Sequence, residues 1–276
     1  MGIVAAIVVA AVGLALTMAA AWLIAIRTGR SGWVDAIWSF AVGIYGAYAA
    51  LFATAEADNE WRQWLVAILA LAWSLRLGLH IAMRTIGDGR DDPRYSQLRH
   101  EWGAAFASRL FWFVQIQAAA AILLVMAIMA AAHNPAPELR FSDLTGLVII
   151  LVAVGGEALA DRQLKNFRTD PANKGKVCAI GLWGLSRHPN YFFEWLGWTA
   201  YAAIALGTQP VYPWGFAALA GPVLMYWLLV HVSGIPPLEA HMLRSRGDPF
   251  RRYQARVNAF WPGAPKAATI KAGRRP

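Results

Sequence analysis

Long apolar segments separated by polar connections constrain this chain more than any other feature of its sequence. Each segment has about 17–25 residues, which as a helix crosses the roughly 30 Å of hydrocarbon in a bilayer. Because lipid offers no hydrogen bonds to an unpaired backbone, such segments are expected to be helical throughout. The predicted spans are residues 3–26, 33–54, 62–83, 110–132, 143–160, 192–207 and 213–232. The predicted fold class is therefore an all-α integral membrane protein with seven transmembrane helices.

The composition agrees with this fold class and excludes some kinds of site. Only 15% of the 276 residues are charged, against about 25% in soluble domains. The 14 tryptophans and eight tyrosines suit aromatic belts at two membrane interfaces. Cys178 is the only cysteine, so an internal disulfide and a multi-cysteine metal site are excluded. No Cys/His pattern has zinc spacing, and no metal is predicted.

Basic residues predict the orientation of the chain, whose formal net charge is +9. Of the 25 lysines and arginines, all but Arg62, Arg76 and Arg140 lie in the first, third and fifth connections or after the last apolar segment. The positive-inside rule therefore places the N-terminus outside and the C-terminus in the cytoplasm. Because this charge is a topology signal, no nucleic-acid partner is expected. Short outer connections and the lack of a targeting peptide favour a bacterial inner membrane.

Polar side chains at membrane depth are the first candidates for chemistry. Arg76, His80 and Arg84 are spaced i, i+4, i+8 and share one face of the third helix. A charge at mid-bilayer costs about 2.5–3.5 kcal/mol, so this face is expected to line the protein interior or a wet cavity. Alternatively, Arg84 only marks the cytoplasmic interface. Asp35 opens the second helix, with Tyr45 near the same face, and either caps that helix or donates a proton to a substrate.

Two acids and two bases follow one another at the cytoplasmic end of the fifth helix. Glu157 and Asp161 are four residues apart, and Lys165 and Arg168 continue the same face. One interpretation is that these side chains pair with one another. The other is that they line a ligand site, in which the bases hold phosphate and the acids accept hydrogen bonds.

The two longest connections are cytoplasmic in this topology, and long ordered loops usually carry function. In the first, Arg90, Arg94 and Arg99 are either topological charge or a set of bases for an anionic ligand. The second ends in SRHPNYFFEW, where Arg187 and His188 precede a predicted helix start. The free backbone N–H groups of a helix start favour an anion. Both connections are therefore candidates for binding an anionic ligand.

Further polar residues lie on the sixth helix and after the seventh apolar segment. Asn190 and Glu194 are four residues apart on the sixth helix, and Glu239 and His241 follow the seventh. The stretch RGDPFRRYQARV is predicted as an amphipathic helix whose apolar side includes Tyr253. That side could anchor the helix at the membrane interface.

Familiar nucleotide-binding motifs are missing from the sequence. There is no G-x-G-x-x-G after a strand and no G-x-x-x-x-G-K-[ST], so neither a Rossmann fold nor a P-loop is predicted. No G-x-S-x-G indicates a serine nucleophile. Loops and helix ends would therefore have to hold any nucleotide that binds.

Several motifs together resemble a known family. In order, they are D-x-x-x-K, N-K-G-K, G-L-W-x-x-S-R-H-P-N-Y-F-x-E, L-E and R-G-D-x-x-x-x-Y, and they are strongest over residues 157–262. This pattern is similar to the bacterial membrane proteins related to steroid 5α-reductases, the DUF1295 group. The wider superfamily also contains sterol reductases and the isoprenylcysteine and phospholipid methyltransferases.

The resemblance implies a seven-helix protein that binds NADPH from the cytoplasm and transfers hydride to an enone carbon–carbon double bond. It implies that helices within 1–132 line a lipid cavity, that 143–262 hold the cofactor, and that 263–276 form a flexible basic tail, all in one membrane domain. The predicted cofactor-binding residues are Arg84, Arg94, Tyr95, Asp161, Lys165, Arg168, Asn173, Lys176, Arg187, His188, Asn190, Tyr191, Glu194, Glu239, His241 and Tyr253.

The residue that polarises the substrate carbonyl does not carry over from this resemblance. Ile81 stands where the eukaryotic reductases have a tyrosine, and their Glu-Leu-Pro on the second helix is absent. Asp35, Tyr45 and His80 are predicted as the catalytic residues instead, from their depth and helical face.

The sequence therefore predicts NADPH-dependent reduction of the C4=C5 bond of a 3-oxo-Δ4-steroid or a similar apolar enone taken from the bilayer. The related methyltransferases usually have paired glutamates after the last helix, where this chain has Leu238-Glu239. They also have fewer helices before the R-H-P block, and both points favour a reductase. The alternatives are an S-adenosylmethionine-dependent lipid or prenylcysteine methyltransferase and a non-enzymatic membrane transporter.

Overall fold

The structure, a computed structural model, describes residues 2–52, 60–87, 91–208 and 210–266, and the regular elements within them are all helical. The α-helices are α1 (Ile3–Thr28), α2 (Gly32–Leu51), α3 (Glu60–Gly87), α4 (Pro93–Trp102), α5 (Phe106–Ala132), α6 (Phe141–Thr169), α7 (Leu182–Leu185), α8 (Pro189–Ala205), α9 (Ala220–Trp227), α10 (Ile235–Arg246) and α11 (Asp248–Arg256). A π-helical turn, Leu228–Val232, follows α9. Arg90 and most of the predicted tail lie outside the described residues.

Six helical stretches of the described chain are long and apolar enough to cross a membrane, which confirms the all-α membrane fold. They are Ile3–Thr28, Gly32–Leu51, Glu60–Gly87, Pro93–Ala132, Phe141–Thr169 and Pro213–Arg246. The other predicted span corresponds to α8, whose 17 residues make a helix of roughly 25 Å. This length is less than the roughly 30 Å of hydrocarbon. The count of seven spans and the orientation therefore remain predictions.

The chain divides into two compact units, which are described separately below. The first unit consists of Met1–Ile150 and Trp198–Met225, and the second of Leu151–Gly197 and Tyr226–Pro276. The residues predicted to be catalytic lie in the first unit, and most of the predicted cofactor residues lie in the second.

Small residues let the helices of the first unit approach one another closely. A Cβ on Gly43 of α2 would lie 2.1 Å from the Cβ of Ser74 on α3, so only glycine fits there. A Cβ on Gly13 of α1 would lie 2.4 Å from the ring of Tyr45. Close backbone contact at small residues is the usual way in which membrane helices associate, because lipid removes the hydrophobic driving force.

A buried ion pair joins α3 to the start of α6 in the first unit. Arg62 and Asp143 both have fully buried side chains, and the Arg62 Nη2 lies 3.0 Å from the Asp143 carboxylate. The Arg62 Nε donates to the same carboxylate. The remaining guanidinium hydrogens bind the backbone oxygens of Asn134, Ala136 and Glu138. All five donors of this arginine are therefore satisfied inside the protein.

Arg140 lies in the same cluster. Its backbone N–H and its Nη2 donate to Asp143, and its Nη1 donates to the backbone oxygen of Leu206. Arg62 and Arg140 are two of the three basic residues that fall outside the basic connections. Their charges are met by an internal carboxylate and by backbone carbonyl dipoles.

The C-terminal segment of the second unit pairs with the start of α8. The backbone N–H of Arg187 donates to the Asn258 oxygen at 2.8 Å, and the Ser186 hydroxyl donates to the Phe260 oxygen at 2.9 Å. Nearby rings pack edge to face, with Trp195 and Trp261 5.0 Å apart between centroids. The segment after α11 thus holds the residues that precede Pro189.

The apolar side of α11, which could have anchored the helix in the membrane interface, is instead buried within the second unit. Phe250, Tyr253 and Val257 form a cluster there. The residues packed against this cluster are Val177, Met242 and Leu243. The Tyr253 hydroxyl donates to the backbone oxygen of Trp183, so this side chain ties α11 to α7.

Candidate functional site

Arg187 is held inside the second unit by charged and backbone partners. Its Nε and Nη2 bind the two carboxylate oxygens of Glu239 at 2.7 and 3.1 Å. Its Nη1 donates to the backbone oxygens of Gln254 and Val257. The side chain is only 11% exposed. A guanidinium bound bidentately to a carboxylate is geometrically fixed, so Arg187 connects the start of α8 with α10 and α11.

His188 binds the same carboxylate through one ring nitrogen. Its Nε2 lies 2.9 Å from the Glu239 Oε1, and because a carboxylate only accepts, Nε2 carries the hydrogen. The other nitrogen, Nδ1, is buried and has no hydrogen-bond partner among the described residues. The imidazole is 3% exposed and stacks on Tyr191, with 5.4 Å between centroids and 12° between planes.

Glu239 joins three segments through one side chain. Besides Arg187 and His188, it accepts from the Gln254 Nε2 at 2.6 Å. Gln254 had no place among the predicted site residues. The only signal for it in the sequence is its position next to Tyr253, on the helix turn that faces α10.

The buried imidazole of His188 leads to a pH prediction. Burial lowers the pKa of His188 below its ordinary value of 6.5, against the opposing effect of Glu239. The unfolded chain therefore takes up this proton near pH 6.5, and the folded protein only at lower pH. The contribution of His188 to stability is fully present above about pH 6.5, and it is lost as the pH falls toward the lower pKa of His188 in the folded protein.

We expect the melting temperature of the wild type to fall more than that of His188→Gln between about pH 7 and pH 5. Glutamine does not titrate, yet its amide still donates to Glu239, which makes it a matched replacement. The measurement is thermal unfolding of the detergent-solubilised proteins across that range. Parallel curves for the two proteins would contradict the prediction.

Exposed bases lie where the loop before α7 meets the end of α10. Lys174 and Lys176 flank Gly175, whose φ of 82° requires glycine. The Arg246 guanidinium lies 3.9 Å from the position that a Cβ on Gly175 would take. We call Lys174, Lys176 and Arg246 the cationic edge. In the part of the chain that the structure describes, none of the three forms an ion pair.

A cavity of about 320 Å³, lined by polar and apolar side chains, opens beside the same loop. Its lining residues are Gln163, Asn166, Phe167, Asp170, Asn173, Ile180 and Gly181. The Asn173 amide donates to the Phe167 oxygen at 3.2 Å, and the Gln163 oxygen accepts from the Leu182 N–H at 2.9 Å. These bonds orient both amides, so the predicted residue Asn173 lies at a preformed concave surface.

The other predicted residues of the second unit lie along α6, α8 and α10. Glu194 is 5% exposed on α8, and Glu157 is equally buried on α6. Asp161, Asn190 and His241 are partly exposed. Lys165 and Arg168 are exposed near the end of α6. Their roles toward a cofactor remain predictions.

In the first unit, the predicted residues Asp35, Arg84, Arg94 and Tyr95 form one cluster with a second acid, Asp92. The Asp35 carboxylate accepts from the Arg94 Nη2 and, at 2.8 Å, from the Tyr95 hydroxyl. Arg94 also donates to Asp92, which binds Arg84 at 3.2 Å. Asp92 was not predicted as a site residue. It is the second acid of the turn signal DDP, and it caps α4 by accepting from the Arg94 N–H.

The two other predicted catalytic residues are Tyr45 on α2 and His80 on α3. The Tyr45 hydroxyl is 3.4 Å from the Thr17 hydroxyl, and the Tyr45 ring packs on Gly13. His80 is partly exposed on α3, one turn before Arg84. Both oxygens of Asp35 accept hydrogen bonds, whereas among the described residues the Tyr45 hydroxyl contacts the Thr17 hydroxyl.

The described helices define an all-α integral membrane protein. Its second unit carries the cationic edge and the cavity beside it. A family model described as "Protein of unknown function (DUF1295)" matches residues 21–257. The chain therefore belongs to the DUF1295 family, as the motifs around SRHPNYFFE predicted.

A curated relative is similar over a shorter stretch. The protein named "Probable O-methyltransferase ustE" from Ustilaginoidea virens is 33% identical over 95 residues. That match covers 32% of this chain and 34% of the relative, so the chain spans about a third of the relative's length. No solved structure matches the chain.

Proposed function

We propose that this protein is a membrane-embedded reductase that uses NADPH to reduce the carbon–carbon double bond of an apolar enone, such as a 3-oxo-Δ4-steroid. The observation that carries the proposal is the cationic edge beside the cavity of the second unit. Bases without internal ion pairs are available to phosphate groups, and Lys and Arg bind phosphate through charge-assisted hydrogen bonds.

The charge of the second unit favours a phosphorylated cofactor. Residues 151–197 and 226–266 carry twelve basic and six acidic side chains, a formal excess of six positive charges. Two of the acids, Glu157 and Glu194, are buried. NADPH carries a pyrophosphate and a 2′-phosphate, whereas S-adenosylmethionine carries a sulfonium cation and no phosphate. A positive surface attracts the first and does not attract the second.

The proposed reaction needs a hydride donor and a stabilised carbonyl oxygen. When bound, NADPH supplies the hydride for the β-carbon of the enone, and the electron pair of the double bond moves toward the carbonyl oxygen. A hydrogen-bond donor at that oxygen stabilises the charge that develops there. Because both oxygens of Asp35 accept hydrogen bonds, the Tyr45 hydroxyl is the proposed donor. A proton from water then completes the α-carbon.

The direct test is turnover by the purified protein in detergent or nanodiscs. We expect a Δ4-3-ketosteroid to cause loss of NADPH absorbance at about 340 nm and to yield a product two hydrogen atoms heavier by mass spectrometry. Tyr45→Phe is the matched variant, because it removes one hydroxyl and leaves the ring against Gly13. Absence of substrate-dependent oxidation across a panel of enones would count against the proposal.

The cationic edge gives a binding prediction. Replacing Lys176 with glutamine is expected to weaken NADPH binding about tenfold, because a hydrogen bond to a charged group contributes about 1.5–3 kcal/mol. The same change should affect NADPH more than free nicotinamide mononucleotide. The control is Arg252→Gln, which removes an exposed charge from α11. Calorimetric titration of the three proteins measures the difference, and equal affinities for all three would exclude the edge as the phosphate site.

The methyltransferase alternative is favoured by one observation, the name of the Ustilaginoidea virens relative. It predicts that the purified protein binds S-adenosylmethionine and does not bind NADPH. Calorimetry with both ligands on the same preparation separates the two proposals. The exposed bases beside the cavity are the reason for preferring NADPH.

A further inference from the structure

One buried hydrogen-bond acceptor in the second unit has no partner in the part of the chain that the structure describes. It is the Nδ1 atom of His188. Buried polar atoms in folded proteins are nearly always hydrogen-bonded, because an unpaired one loses its bonds to water without replacement. The exceptions concentrate where a ligand or an ordered water supplies the missing group. Nδ1 therefore marks a place where a donor from outside the chain belongs.

The chemical form of this nitrogen is set by Glu239. Its carboxylate accepts from His188 Nε2 at 2.9 Å, which keeps the hydrogen on Nε2 and leaves Nδ1 with a lone pair. Glu239 is held in turn by Arg187 and by Gln254 at 2.7 and 2.6 Å. Since the two ring nitrogens diverge, Nδ1 is turned away from this carboxylate. Glu239 is thus a positioning residue, and Nδ1 is an acceptor for a neutral N–H or O–H group.

The surroundings of His188 include an aromatic ring and the start of an apolar helix. The His188 imidazole stacks nearly parallel with Tyr191, and it directly precedes the apolar helix α8. The phosphates of NADPH suit the cationic edge, which is exposed and lies on the loop before α7 and on α10. A redox ring that reacts with a substrate dissolved in lipid has to lie at the apolar helix instead. The nicotinamide ring is planar and carries a primary carboxamide, whose N–H hydrogens are neutral donors.

We propose that His188 Nδ1 accepts a hydrogen bond from the nicotinamide carboxamide, and that Glu239 makes this possible by holding the hydrogen on Nε2. This proposal rests on the proposed use of NADPH. It assigns recognition of the carboxamide to a histidine of the S-R-H-P segment, and it predicts discrimination against cofactor analogues that lack the amide N–H.

The test compares three ligands by calorimetry. NADPH has the carboxamide, reduced 3-acetylpyridine adenine dinucleotide phosphate has a methyl ketone in its place, and 2′,5′-ADP lacks the nicotinamide. We expect the wild type to bind NADPH about tenfold more tightly than the acetylpyridine analogue, which corresponds to one lost hydrogen bond in a buried site. Equal affinities for these two ligands would overturn the proposal without any variant.

Two isosteric variants separate the two ring nitrogens. In His188→Gln the amide takes the place of Nε2, so donation to Glu239 survives and the Nδ1 acceptor is lost. In His188→Asn the amide oxygen takes the place of Nδ1. We expect His188→Gln to bind NADPH and the acetylpyridine analogue equally, and His188→Asn to keep a preference for NADPH. All three proteins should bind 2′,5′-ADP alike.

The outcomes distinguish this proposal from the proposed function. If NADPH and 2′,5′-ADP both fail to bind the wild type, the reductase proposal fails and this one falls with it. If both bind but His188→Gln keeps the tenfold preference for NADPH, only the carboxamide contact is refuted, and an ordered water is then the partner of Nδ1. Should His188→Gln fail to fold, the wild-type comparison of the two dinucleotides still decides.

Discussion

Replacing Arg62 with methionine is expected to lower the free energy of unfolding by about 3–5 kcal/mol. The substitution leaves Asp143 fully buried with Arg140 as its remaining basic partner. It also removes the donors for the backbone oxygens of Asn134, Ala136 and Glu138. Breaking one side of a buried pair costs far more than the pair contributes, because the other charge stays out of water.

Denaturant titration in detergent measures this change in the free energy of unfolding. Two further variants serve for comparison. The double variant Arg62→Met with Asp143→Leu removes both charges and should recover part of the loss. Arg251→Ala breaks the pair with Asp248, in which both side chains are more than 70% exposed. That change should cost less than about 1 kcal/mol. If Arg62→Met were no more harmful than Arg251→Ala, the buried pair would not stabilise the first unit.

Replacing Glu239 with leucine is expected to abolish NADPH binding and to destabilise the second unit by about 3–5 kcal/mol. Leucine removes the acceptor for Arg187, His188 and Gln254 at once. Arg187 is then left nearly buried without its carboxylate, and the start of α8 loses its connection to α10. The cofactor site should therefore fail together with the local fold.

Calorimetric titration with NADPH and thermal unfolding in the same buffer measure both effects. Glu239→Gln keeps an acceptor oxygen of the same reach and should lose less stability than Glu239→Leu. Asp248→Ala is the control, because it removes an exposed acid from the neighbouring helix. Unchanged NADPH affinity in a folded Glu239→Leu protein would show that the Glu239 network does not position the cofactor.

The helices were predictable because their determinants are local. The span predicted at 3–26 is α1, Ile3–Thr28, and that at 62–83 lies within α3, Glu60–Gly87. A run of apolar residues must satisfy its backbone internally wherever it lies in lipid, and a helix does so without help from other segments. The S-R-H-P segment, Glu239 and Tyr253, which were predicted to bind the cofactor, lie in one unit, and their role toward a cofactor stays a prediction.

The partners of the charged residues were not predictable in the same way. Asp35 pairs with Arg94, and Arg62 with Asp143, across separations of 59 and 81 residues. The sequence offered several cations for each acid, and it could not choose among them. Likewise, nothing in RGDPFRRYQARV distinguished an interfacial anchor from a helix whose apolar side is buried inside the protein.

The sequence alone therefore determined the apolar helices, since hydropathy and helix length act within one segment. It also showed the excess of basic residues in the second unit. Only the tertiary structure decided that Glu239 binds Arg187, His188 and Gln254, and that His188 Nδ1 has no hydrogen-bond partner within residues 2–52, 60–87, 91–208 and 210–266. Ion pairs and hydrogen bonds need contact within a few ångströms. That contact exists only after segments distant in the chain have packed together.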